Sequence, residues 1–346
     1  MIAIFTPYGH GETTLAAICL AEIAIAAGEE VRLIATSKIA SNVHPVWDQK
    51  VRSGLRYNAV YHLARKAKQL VWFDYCPVLL SQAKLVASYA LNYLVFSGHA
   101  VRPDTDLSMY DVGICTSFSV GLENYSKPPI SQIKRVVRFD FMDSGLVFTP
   151  REEKPASTPV AVVFCDTHFV RNNDFRIAEF LEALFLSCNL KINLITAKRC
   201  SSFTRKRIRD LTFSTNHALV HYDTPSFTEQ ATIFSISDFL ILPSTRSDFG
   251  LIPVRGLSCN LPIVCHDVIP LSPLISQARN GVKVACSKHV NWLGCETAVF
   301  DVNNMVAEVK RLLQANLIDF FLGQQLRWPI PATGHIFGMW ASLLNL

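Results

Sequence analysis

Charge is scarce in this sequence. Asp, Glu, Lys and Arg make up 18% of the 346 residues, against 50% hydrophobic ones. That balance excludes a disordered chain and asks for well-filled cores. No internal repeat or low-complexity tract interrupts it, and 15 Gly with 17 Pro are ordinary for the length. The ten cysteines include no C-x-x-C pair, so no zinc site follows from their spacing. Cys19 in LAAICLAEI and Cys115 in VGICTS sit in apolar runs, where a free thiol packs as a small hydrophobe. A reducing cytoplasm is therefore expected rather than a disulfide framework. MIAIFTP has no basic n-region and runs straight into a turn, so no signal peptide is expected. Residues 13–27 are too short to span a bilayer and carry Glu22. Residues 77–98 are long enough but hold Gln82, Lys84 and Asn92, which predicts a buried or surface-seated helix there.

A chain of 346 residues exceeds what one core organises, which predicts two domains of roughly 150–200 residues each. The first 36 residues read as strand, turn, helix and strand. MIAIF is apolar, YGHG breaks it, Thr13 to Ala27 has helical spacing, Gly28 stops the helix, and EEVRLIAT supplies the next strand. Such a βαβ unit implies a parallel sheet. Residues 57–98 read as two helices, and 109–117, 134–141 and 145–149 as strands. The polar, proline-bearing REEKPASTP at 151–159 reads as a linker. Beyond it, strands at 160–166, 191–197, 218–223, 239–244 and 262–267 alternate with helices, among them the basic SFTRKRIRDL. The expected architecture is α/β, with two Rossmann-like doubly wound domains at 1–150 and 160–330 facing across a cleft, and a terminal helix at 331–346 packing back on the first.

Ligands of open α/β sheets bind beyond the carboxyl ends of strands, where helix N-termini favour anions. The loop YGHGET after the first strand is one such place. Gly9 and Gly11 allow close backbone approach, and His10 lies between them. The loop has neither the Lys-Ser/Thr of a P-loop nor a third glycine, so by itself it is a weak signal. The segment LILPSTRSDFGLIPVRGLSCNLPIVCHD at 240–267 is far more specific. An apolar strand ends in Pro-Ser, a polar loop reaches Phe249-Gly250, a helix follows carrying Arg255, and Asn260-Leu261-Pro262 leads into another strand. Amides of Gly250 and Leu251 at that helix mouth suit a diphosphate.

This segment resembles the donor-binding signature of retaining GT-B glycosyltransferases of the GT4 type. That pattern runs Pro-Ser, Glu-Gly-Phe-Gly, then a second Glu before Gly-x-Pro-Val. Pro243, Ser244, Phe249, Gly250, Leu251, Pro262 and Val264 match it. The similarity extends to SQARNGVKV at 276–284 and to the first βαβ unit, and is thin between 40 and 150. The resemblance implies a metal-independent, retaining transfer from a nucleotide-diphosphate sugar, used as co-substrate with no bound cofactor, to a hydroxyl acceptor. Donor contacts are then expected from Gly9, Gly11, Lys198, Ser247, Asp248, Phe249, Gly250, Leu251 and Arg255, and catalytic roles for His10, Asp140 and Arg171.

The departures from the pattern are specific. Ser247 and Arg255 stand where the family has its two glutamates, with Asp248 one residue from the first. Arg255 cannot accept hydrogen bonds from ribose. Asp166 stands where an arginine is expected, while Arg171 fits the lysine position and Lys198 with Arg199 supplies further positive charge. These departures keep open a second reading, a non-catalytic binding or scaffold protein on a degenerate GT-B frame. Asp143 is a further acceptor-side candidate; His221 and His266, which also follow strands, read as structural; and Asp104-Thr105-Asp106 has metal-clamp spacing in the wrong domain.

Between Lys38 and Lys84 eight basic residues face only Asp48 and Asp74. Arg52, Arg56, Arg65, Lys66 and Lys68 are the candidate phosphate contacts in that stretch. They fit three acceptors: DNA bearing hydroxymethylated pyrimidines, an anionic membrane lipid with the protein seated peripherally, or a soluble glycan or small molecule.

Overall fold

A computed structural model describes residues 1–6, 12–35, 51–53, 65–73, 90–96, 101–116, 126–139, 158–214, 219–246, 250–268, 271–315, 317–318, 342 and 344. The chain divides into two compact units. One comprises Met1–Asp143, Val290–Cys295 and Pro331–Leu346; the other comprises Ser144–His289 and Glu296–Ile330.

The first unit holds strands β1 (Ile2–Thr6), β2 (Val31–Ala35), β3 (Val51–Ser53), β4 (Gln69–Phe73), β5 (Leu91–Phe96), β6 (Val112–Thr116) and β7 (Arg135–Phe139) in the order β3-β2-β1-β4-β5-β6-β7. Every pairing is parallel, with Ile2 opposite Val31 on one side and Gln69 on the other. Parallel strands are covered on both faces, so they are apolar throughout rather than alternating; all five residues of β1 are buried. Helix α1 (Glu12–Ala26) is correspondingly apolar around much of its circumference, burying Ala16, Ala17, Ile18, Leu20, Ala21 and Ala24. Phe5 stacks on Trp72 at 4.0 Å between ring centroids. Leu293 and Cys295, from the excursion 290–295, join that core, and the Trp292 indole donates to the Val101 carbonyl at 3.0 Å.

The two helices expected over 57–98 are corrected here: QLVWF and LNYLVF are the neighbouring strands β4 and β5. A short apolar run buried on both faces has no period by which strand and buried helix differ. The parts of that region at 54–64, 74–89 and 97–98 lie outside the described residues, as does the expected strand at 145–149.

The second unit repeats the plan. Strands β8 (Val160–Cys165), β9 (Lys191–Thr196), β10 (Leu219–Asp223), β11 (Phe239–Leu242), β12 (Ile263–His266) and β13 (Gly281–Val284) form a parallel sheet in the order β10-β9-β8-β11-β12-β13. The helices are α2 (Thr167–Ser187), α3 (Ser202–Ser214), α4 (Phe227–Ser235), α5 (Leu251–Ser258), α6 (Leu271–Ala278) and α7 (Val302–Gln314). On α7 the buried set Val302, Met305, Val306, Val309 and Leu312 recurs at helical spacing, and Asp301 caps its start by accepting from the amides of Asn303 and Asn304. Phe300 packs edge-on against Phe169 and Phe180. A two-stranded ribbon, β14 (Lys288–Val290) and β15 (Glu296–Ala298), follows β13.

Candidate functional site

In the second unit the chain moves from β8 outward through β9 to β10, then returns to the other side of β8 with β11. The crevice between the carboxyl ends of β8 and β11 is therefore the topological switch point, where doubly wound sheets bind ligands. Two polar groups bridge it. His168, in the first turn of α2, has Nδ1 at 3.3 Å from the Thr245 hydroxyl and Nε2 at 2.8 Å from the Asn172 amide. The residues just past β11 are further held by their carbonyls. Ser244 O accepts from His266 Nδ1 at 3.0 Å, and Thr245 O accepts from the Ala298 amide at 2.7 Å. Ser244 and Thr245 are both buried, at 4% exposure. Neither His168 nor Thr245 stands out in the sequence, because their pairing spans 77 positions and exists only through the adjacency of β8 and β11. The one local clue is that Thr245 directly follows the Pro243-Ser244 pair.

Asp166 has a local structural role. Its carboxylate accepts from the Phe169 amide at 2.6 Å and caps α2. An arginine there cannot make that bond, so the departure from the family pattern coincides with a helix start. Arg171 lies one turn further along α2 and is exposed; Lys198, just past β9, is half-buried. Arg199 stands at 3.9 Å from Asp223. Three positively charged side chains thus follow the carboxyl ends of β8 and β9.

Ser247, Asp248 and Phe249 lie outside the described residues. The chain resumes at Gly250, which occupies the left-handed region (φ 71°, ψ 17°) as the N-cap of α5 and needs glycine's freedom there. All eight residues of α5, from Leu251 to Ser258, are buried. Close packing explains this: a Cβ on Gly256 would meet Leu240 of β11 at 2.6 Å. The N-terminal, partially positive end of a helix pressed onto the sheet is thereby the next element after β11. Arg255 is 1% exposed, and its Nη1 donates to the Gln230 amide oxygen of α4 at 3.4 Å.

His221 of β10 meets the Thr196 hydroxyl at 3.0 Å. Desolvation holds the pKa of both His221 and His266 below the ordinary 6.5, so both are neutral at pH 7. Burial pushes the thiols of Cys200, Cys259 and Cys265 up to about 12, which keeps them protonated and non-nucleophilic.

In the first unit, Gly9, His10, Gly11, Arg56, Asp140 and Asp143 lie outside the described residues. The flanks of the glycine loop are described: Thr6 ends β1, and its hydroxyl is 3.3 Å from that of Thr14 in α1. Arg52 belongs to β3, opposite Ile34. Arg65, Lys66 and Lys68 are exposed in the turn that leads into β4, at the amino edge of the sheet. Lys68 pairs there with Glu29 at 2.6 Å, which lowers the glutamate pKa. That edge is opposite the one where β1 ends, so the structure does not bring these three basic residues to the glycine-loop side of their own sheet. Asp106 accepts from the Ser108 amide and hydroxyl of its own turn. Among the described residues no three His, Cys, Asp or Glu side chains gather as a metal-binding group, and no helix is long and apolar enough to cross a membrane.

No protein-family profile matches the chain. A D-inositol 3-phosphate glycosyltransferase from Arthrobacter sp. (strain FB24) is 29% identical over 83 residues, 24% of this chain and 20% of that protein. The matched stretch thus spans about a fifth of that relative's length. Solved structures match over nearly the whole chain. Sucrose-phosphate synthase from Thermosynechococcus elongatus superposes with a TM-score of 0.70 at 16% identity, covering 99% of this chain and 98% of that one. The UDP-GlcNAc 2-epimerase from Methanocaldococcus jannaschii gives 0.57 at 9% identity, covering 100% and 99%. An α-glucosyltransferase in complex with UDP gives 0.56 at 13%, covering 97% and 95%. The chain has the GT-B fold, two Rossmann-like parallel α/β units, with GT4-like structural neighbours.

Proposed function

We propose that this chain transfers a sugar from a nucleotide-diphosphate sugar to a hydroxyl acceptor, with the donor held by the second unit. The observation that carries the reading is helix α5, which starts at left-handed Gly250 just after β11, beside the switch point bridged by His168 and Thr245. The helix end favours a diphosphate, and Arg171 and Lys198 add full positive charges on the same edge of the sheet. Stabilising the departing diphosphate as the anomeric bond breaks is the main catalytic requirement, and fixed dipoles and cations meet it without a metal. Ser247, Asp248 and Phe249 complete the donor loop in this reading. Gly9 and Gly11 contribute from the first unit, where His10 and Asp140 serve the acceptor hydroxyl, and the transfer is retaining. Every cysteine among the described residues is a free thiol, which suits a reducing compartment.

The test is isothermal titration calorimetry with UDP, GDP and ADP and their glucose conjugates, beside a donor-hydrolysis assay. One nucleotide diphosphate is expected to bind, Arg171→Ala to weaken it about tenfold through loss of a charge-assisted contact, and Gly250→Trp to abolish it. Absence of binding by all three nucleotides overturns the proposal.

Arg255 favours a second reading. A buried guanidinium stands where the resemblance calls for a carboxylate to accept from ribose. A nucleotide-sugar binding protein without turnover then results. Binding with neither donor hydrolysis nor transfer to any acceptor selects it, whereas sugar release above the buffer rate rejects it.

A further inference from the structure

The basic helix α3 exposes apolar surface that the second unit does not use. Its sequence is SFTRKRIRDLTFS. Thr204, Ile208 and the partly buried Leu211 face inward, with Ile208 and Leu211 belonging to the core of the unit. Opposite them lie Phe203, Lys206, Arg209 and Phe213, at successive spacings of three, three and four residues, which keep to one side of a helix. All four are exposed, Phe203 by 62% and Phe213 by 82%. Two phenylalanine rings thus stand in water about 15 Å apart along the helix axis, with an ammonium and a guanidinium between them. Asp210, the one acid on α3, is exposed on this same side, four residues from Lys206, and offsets one of the two positive charges. On the adjoining α2, Glu182 is taken up by Arg207 at 2.6 Å and Glu179 by Arg176 at 3.3 Å. With Lys206 and Arg209 against Asp210 the face keeps a small net positive charge, and Lys198 and Arg199 stand a few residues ahead of α3 in the chain.

We propose that this face of α3 seats the protein on an anionic lipid surface. Rings at both ends of the row can sit below the headgroups, while the Lys206 and Arg209 side chains extend to the lipid phosphates. Charge complementarity selects this occupant. A second copy of the chain would bring the same cations face to face, and a nucleic-acid duplex would pair with them yet leave Phe213 in water. The surface is separate from residues 38–84, whose described exposed cations at 65, 66 and 68 lie in a turn of the first unit without an exposed large apolar side chain among them.

The test is flotation of the full chain with vesicles of phosphatidylcholine alone and of phosphatidylcholine with phosphatidylserine, each at low and at physiological salt. Flotation is expected only with the anionic vesicles and is weaker at the higher salt. F203S/F213S lowers the partition coefficient about tenfold or more, because two rings no longer leave water. K206E/R209E lowers it by a similar factor or more. Both variants should keep the parent's urea midpoint, since all four side chains are exposed. The proposal is overturned if the parent chain stays unbound with both vesicles, or if both variants float as it does. It is also overturned if F203S/F213S abolishes self-association or duplex-DNA binding while flotation is unchanged.

Discussion

Gly281 shows how far a single residue constrains the second sheet. A Cβ added there would lie 2.2 Å from the backbone oxygen of Ile263 on the neighbouring strand, at a φ of 155°. Backbone cannot rotate away as a side-chain tip can, so Gly281→Ala is expected to cost about 3 kcal/mol, read as a fall in urea midpoint. His266 acts at the same scale through its proton. It is 0% exposed, and among the described residues its Nε2 has no hydrogen-bond partner. Desolvation lowers its pKa more than the Ser244 carbonyl and Asp301 raise it. A histidine with a lowered folded pKa binds fewer protons folded than unfolded, so stability falls as pH drops below about 6.5 and levels off beneath the folded value. His266→Asn keeps a donor for Ser244 and removes the titration. Its urea midpoint should therefore decline less between pH 7 and pH 5 than the parent's. The sequence carries these roles only in outline: Gly281 reads as one residue of the family-like segment 276–284, and His266 reads as structural, with no sign of the backbone approach at the first or the lowered pKa of the second.

Elements are fixed locally where their ends carry chemistry. Helix α4 has a complete capping box: Ser226 accepts from the Glu229 amide, and Glu229 accepts from the Ser226 amide at 2.7 Å. Ser226→Ala should cost about 1 kcal/mol, measured by chemical denaturation, and should leave nucleotide affinity unchanged because the cap lies outside the donor loop. The strands β4 and β5 lacked such markers and were misread as helices. QLVWF and LNYLVF are buried along nearly their whole length, Gln69 and Asn92 included, and that burial erases the alternation that identifies a strand. Conversely, the segment 240–267 was legible because Pro-Ser, Phe-Gly and Asn-Leu-Pro punctuate it. Strand β11, helix α5 and strand β12 fall where that punctuation puts them.

At the scale of the molecule, both sheets follow one plan, with the first strand of each near the centre and the chain winding outward from it twice. With most donor contacts in the second unit and only Gly9 and Gly11 in the first, the bound nucleotide sugar stabilises the second unit more. At about 100 times its Kd, a ligand adds about 2.7 kcal/mol to whatever unfolds with its site. Thermal unfolding should then show one of two transitions moving upward with donor by clearly more than the other.

The class of the fold was written along the chain. Apolar runs of strand length alternate with helical spacing, and only parallel sheets covered on both faces consume that much apolar sequence with so little charge. The glycine before α5 and the residues that punctuate its flanks are equally local, since each answers a constraint on its own backbone. Strand order belongs to another level. That β8 lies beside β11, so that His168 reaches Thr245, and that Leu293 and Cys295 leave their neighbours in sequence to fill the core of the first unit, are outcomes of long-range burial. Sequence neighbours do not encode them, because the free energy that selects one strand partner over another is spread across a whole sheet and appears only when the sheet is closed.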